Sequence, residues 1–114
     1  MTKKASMGAG NVPITLDGEE CVLRPTLKAA QTISRQAGGL MAAIEAITKF
    51  DFDAITQIIA LGLDRPVKDV ADEVWRTGLS ELSAPAVTFV SILANGGRPL
   101  DSAGGEEGTD PQSE

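Results

Sequence analysis

Histidine is missing from this chain, and so is tyrosine. Without histidine, no side chain titrates near neutral pH at its ordinary value, and the commonest metal ligand is gone. General acid–base chemistry would have to rest on carboxylates or lysines. The single cysteine, Cys21, cannot close an internal disulfide, which fits a reducing compartment. Aromatics are scarce, with three Phe and one Trp, so the core must be built mainly from Leu, Ile, Val, Ala and Met. Long apolar runs are missing too. The longest stretch, residues 58–63, is far too short to span a bilayer. Lys3 and Lys4 are not followed by the apolar segment of a signal peptide.

Negative charge is present but unevenly placed. Residues 101–114 hold Asp101, Glu106, Glu107, Asp110 and Glu114 and no base. The remaining hundred residues are close to neutral, and no basic patch stands out as a phosphate-binding surface. A nucleic-acid partner is therefore not expected.

The length of 114 residues allows one domain. Residues 1–10 are small, polar and glycine-bearing, and read as a disordered lead-in. Residues 98–114 have too little apolar surface to offset chain entropy, and read as an acidic disordered tail. The folded unit is expected over residues 11–97.

That unit opens on NVPITLDGEECVLRPTL. Asp17-Gly18 suits a two-residue type I′ turn, which needs positive φ at both positions. Leu16 then faces Glu19, Ile14 faces Cys21, and Val12 faces Leu23. Alternation puts these apolar residues and Cys21 on one face, and a slip of one residue would destroy it. A lone hairpin is unstable in water, so this face must lie on something.

The rest reads as helices. Thr26 after Pro25 suits an N-cap, with Leu27, Ala30, Ile33 and Ala37 as the stripe and Gly38-Gly39 as the stop. Leu40, Ala43, Ile44 and Ile47 form a second segment. Asp51 can cap a third, whose stripe is Phe52, Ile55, Ile58, Ile59 and Leu63. Pro66 fits the first turn of a fourth, carrying Val67, Val70, Ala71 and Val74 up to Gly78. Ser83 with Pro85 would open a fifth, with Ala86, Phe89, Val90 and Leu93, closed at Asn95-Gly96-Gly97. The expected fold is α+β: an N-terminal β-hairpin packed on a bundle of four or five short α-helices.

No residue is nominated as catalytic, cofactor-binding or metal-binding. Cys21 has no histidine to activate it and reads as a small strand residue. Asp69, Asp72 and Glu73 lack the spacing of a calcium loop and read as a solvated helix face. Gly8, Gly10, Gly38 and Gly39 lack the Lys-Ser/Thr end of a phosphate loop. The third and fourth segments could form a helix-turn-helix, but the fourth offers more acid than base to a phosphate backbone. Interaction is the remaining class. Trp75 lies at the edge of its stripe, and Trp is enriched at interface hot spots. Val87 and Ile92 fall off the stripe of the last helix, so that helix is either central or covered by a partner. Trp75, Val87 and Ile92 are the candidate partner-binding residues.

The pattern Val12-x-Ile14-x-Leu16-Asp17-Gly18, then Leu23-Arg24-Pro25-Thr26-Leu27, Ile33 and Gly38-Gly39-Leu40, resembles a family of small phage proteins. The family occurs in gene transfer agents and tailed phages of α-proteobacteria. It is classed with tail assembly chaperones and also carries the label of a tail tube protein. The similarity spans residues 11–97. It departs at Leu27, where an aromatic is common, and at Ser34, where an acid is common. The resemblance implies a non-enzymatic protein of the bacterial cytoplasm, without cofactor or membrane. Its partner would be the tape measure protein or another phage tail protein, with self-association open. It leaves two alternatives: a structural component of the virion tail (tube or connector), or a small regulator that binds a host protein.

Overall fold

A computed structural model describes residues 10–100. The lead-in and acidic tail expected from the sequence lie outside the described residues, apart from Gly10 and residues 98–100. Those four belong to the ordered body. Gly10 is buried, and a side chain there would collide with the Gly97 carbonyl oxygen. The Asn95 side-chain Nδ2 donates to the carbonyls of Arg98 and Pro99.

The hairpin forms as its alternation requires. Strand β1 (Val12–Leu16) pairs antiparallel with β2 (Glu19–Leu23) in the expected register, Val12 to Leu23 and Leu16 to Glu19. Asp17 and Gly18 both have positive φ, at 53° and 83°. Val12, Ile14, Leu16 and Leu23 are buried, and Cys21 is half-buried.

Five helices follow: α1 (Leu27–Ala37), α2 (Leu40–Thr48), α3 (Phe52–Leu63), α4 (Val67–Thr77) and α5 (Leu79–Ala94). Thr26 caps α1, its hydroxyl accepting from the Ala29 amide at 3.0 Å. Asp51 caps α3 through the Ala54 amide at 3.1 Å. Helix α3 packs against β2 and all four other helices, so it is the spine of the core. That is why Thr56, Ala60 and Gly62 are buried beside the expected stripe of Ile55, Ile58 and Ile59.

One close approach fixes hairpin to spine. Helix α3 ends at Leu63, so the Gly62 carbonyl in its last turn has no in-helix donor. The Arg24 amide donates to that carbonyl instead, at 2.9 Å. Glycine is required there, because a Cβ would stand 2.9 Å from the Leu23 Cβ.

Four helices end by one device. A left-handed residue (Gly38, Phe50, Asp64 or Gly96) is followed by an amide that reaches back five residues. These bonds run from Gly39 to Ser34, Asp51 to Ala46, Arg65 to Ala60 and Gly97 to Ile92, at 2.8–3.0 Å.

The structure corrects three readings. Leu27 is 73% exposed, because it stands a third of a turn away from Ile33 and the inward face runs through Ala29. Val67 is also exposed rather than in the core. Helix α5 begins at Leu79, and Pro85 lies inside it. Ser83 caps nothing; its hydroxyl donates weakly to the Ser80 carbonyl at 3.4 Å. Burial of Leu82 ahead of the proline and Ala86 behind it keeps both sides helical despite the lost amide.

Thr56 is the buried polar side chain of the core, and its hydroxyl has no partner among the described residues. A buried hydroxyl left unbonded costs about 1–3 kcal/mol. Valine keeps the shape and has a similar helix propensity. Thr56→Val should therefore stabilise the fold by about 1 kcal/mol, raising Tm by about 4–8 °C. A calorimetric scan showing an unchanged or lower Tm would mean that the hydroxyl is satisfied.

Candidate functional site

The groups that could carry chemistry are already engaged or poorly activated. Cys21 faces its own strand, with Sγ 3.9 Å from the Glu19 carbonyl oxygen. Burial pushes its thiol up; Arg65 pulls it down, while Glu73 and Glu19 push it further up. A thiol held protonated is a poor nucleophile. The acids of α4 do not converge. Glu73 takes a two-pronged bond from Arg65, Nη1 and Nη2 each at 2.8 Å from a carboxylate oxygen. The Arg65 hydrogen bonds hold the Glu73 carboxyl below its usual range. Among the described residues, no group of three His, Cys, Asp or Glu side chains could hold a metal ion.

Arg76, the arginine of α4, is engaged as well. Arg76 donates to Asp17 Oδ2 from Nε at 3.0 Å and from Nη2 at 2.8 Å. The Asp17 amide donates to the Thr77 hydroxyl at 2.6 Å, and that hydroxyl donates to the Glu73 carbonyl. The hairpin turn is thereby pinned to the end of α4. Neither Arg65 nor Arg76 is free to receive a phosphate.

This latch has a pH signature. The Arg76 hydrogen bond holds the Asp17 carboxyl below its usual value. A depressed carboxylate contributes stability above its unfolded value, about pH 4, and loses it as pH falls through the lower folded one. Asp17→Asn keeps a good type I′ turn and removes the charge. Its Tm should lie below wild type at neutral pH, and the two curves should meet once the wild-type carboxyl is protonated. Curves that stay parallel down to strongly acid pH would show that the latch contributes nothing.

Large apolar side chains also stand at the surface. Trp75 is 74% exposed, as the stripe edge suggested. The other two candidates face inward. Ile92 is 5% exposed and Val87 is partly buried against the core, because α5 is wrapped by β1 and the other four helices. The surplus apolar residues of α5 serve central burial, and the structure does not bring Ile92 to a surface with Trp75.

No family model matches the chain, and no curated protein or solved structure does. The surface must therefore speak from its own geometry. Between α1, α2 and α3 lies a cleft of about 130 Å³, lined by Ile33, Ala37, Ala43 and Ile58, with Gln36 and Asp53 at its exposed edge. Met41 stands out from α2, and Leu27 beside Pro25, Ala30 and Leu93 at the join of α1 and α5.

Phe50 is the most telling of these residues, and pattern reading passed over it. It is 52% exposed and has φ of 59°. It occupies the left-handed slot that glycine fills after α1 and α5 and aspartate after α3. Left-handed backbone costs about 1–2 kcal/mol for a residue with a Cβ, and a bulky side chain has no local hydrogen bond to offset it. An exposed ring returns little burial energy. A signal did exist: with Asp51 capping α3, the preceding residue had to end α2, where glycine is the rule.

Proposed function

We propose that this protein is a tail assembly chaperone of the phage or gene-transfer-agent type. It acts without chemistry in the host cytoplasm, holding apolar faces of a long helical tape measure protein until the tail tube forms around it. The hairpin-to-helix join supports the kinship. Phe50 carries the binding role: an aromatic ring is kept at the surface on strained backbone, where glycine would be more stable. Strain retained at an exposed position is a mark of function. The cleft of α1, α2 and α3 offers a socket for an apolar side chain of the client.

Co-expression with the tape measure protein tests the reading. The client should stay soluble and co-purify with the chain, and the chain should be absent from finished particles. Phe50→Gly should fold at least as stably as wild type and retain less client. A client that never co-purifies, or a stoichiometric amount of this protein in purified particles, would overturn the chaperone role. Full retention by Phe50→Gly would remove Phe50 from the interface.

A further inference from the structure

The outer face of α4 carries an exposed apolar ridge. Val67, Ala71 and Trp75 are spaced four residues apart and form one ridge along the helix. Val67 is 41% and Trp75 74% exposed, with the small, half-buried Ala71 between them. Lys68 and Asp72 flank this ridge on one side, both exposed. The ion pairs on this side of the molecule are Arg65–Glu73 and Arg76–Asp17. Lys68 and Asp72 enter neither, although Asp72 lends some charge to Arg76. Within one helix their order, base before acid, is the less favourable one for pairing four residues apart.

We propose that two copies of the chain associate through α4 about a two-fold axis at Ala71. The pattern is self-complementary under that operation. With α4 crossing its copy antiparallel, Val67 and Trp75 lie ~6 Å to either side of the axis, so each Trp75 covers the other copy's Val67. Ala71 meets Ala71 at the crossing, where a small residue lets the backbones approach. Antiparallel packing brings like flanks together. Lys68 then lies ~3 Å along the axis from the Asp72 of the other copy, within reach of its side chain, and symmetry makes the pair twice. A ridge with only acids beside it would repel its own copy; this one alternates. The contact is one helix wide, which places it among small, reversible interfaces. It does not depend on the chaperone reading, since it uses neither Phe50 nor the cleft.

Trp75 is the chain's single Trp and there is no Tyr, so the near-ultraviolet emission of the full chain reports this face alone. In sedimentation equilibrium up to about 1 mM, the mass should rise from 11.8 kDa toward twice that value. The emission maximum should shift to the blue over the same concentrations. Trp75→Ala, at an exposed position, should remain a monomer. Lys68→Asp should move dimerisation to at least about tenfold higher concentration, and adding Asp72→Lys should restore it, since the double swap re-forms the pair. A chain that stays monomeric throughout overturns the proposal. So does a dimer indifferent to Trp75→Ala and Lys68→Asp, which would lie on another face. A blue shift that appears only when another protein is added also overturns it, and would give the ridge to that partner.

Discussion

Phe89→Ala is expected to remove about 3–5 kcal/mol of stability. The ring of Phe89 is fully buried, the largest such side chain among the described residues. It sits on α5 against the spine, with Cζ 3.2 Å from where a Cβ on Gly62 would stand. Close packing around the ring lets the neighbours fill only part of the space. The loss is both the transfer energy of the ring and the void left behind. A natural domain has roughly 5–15 kcal/mol in total, so the variant should lie near the edge of folding. Urea titration should show a much lower midpoint at an unchanged slope. A loss under about 1 kcal/mol would mean that the core collapses around the gap, which close packing opposes.

The second large effect runs against helix propensity. Gly62→Ala would stabilise an exposed helix interior by about 1 kcal/mol. Here it should destabilise by about 1–3 kcal/mol, because the site is overpacked. The new methyl group would be 2.8 Å from Leu23 Cδ2 and 2.9 Å from Leu23 Cβ. Rotating Leu23 can relieve the first contact but not the second, since a Cβ moves only with its backbone. The strand must back away from α3, and the Arg24 amide loses its 2.9 Å bond to the Gly62 carbonyl. Hydrogen exchange at Arg24 should quicken beyond what the global loss explains. A stabilised variant with Arg24 protected as before would show that the hairpin is not seated against the spine.

Much of the fold was legible before the structure. The hairpin register followed from alternation about Asp17-Gly18, and the caps at Thr26 and Asp51 from side chains that can accept backbone amides. What escaped were features set by distance in space. The latch joins Asp17 to Arg76 across 59 residues, and nothing local to either announces it. Pro85 looked like a helix start because proline is suited to a first turn; burial of Leu82 ahead of it overrode that rule. Leu27 looked like core because the stripe was counted from the cap, while the inward face is set by what α1 packs against. The candidate surface was read less well. Exposure of Trp75 followed from its place on the wheel. Ile92 did not behave alike, because apolar excess on a helix cannot by itself tell a central position from a partner's footprint. Phe50 needed the left-handed geometry to be seen as unusual.

The contact between Gly10 and Gly97 has a consequence for how the chain can be rewired. The body begins and ends at one corner, next to Pro25 and Leu27, so its backbone traces an almost closed ring. A short tether there would join the ends without moving a strand or helix. The ring could then be reopened at Gly38-Gly39, where side chains would meet only open space.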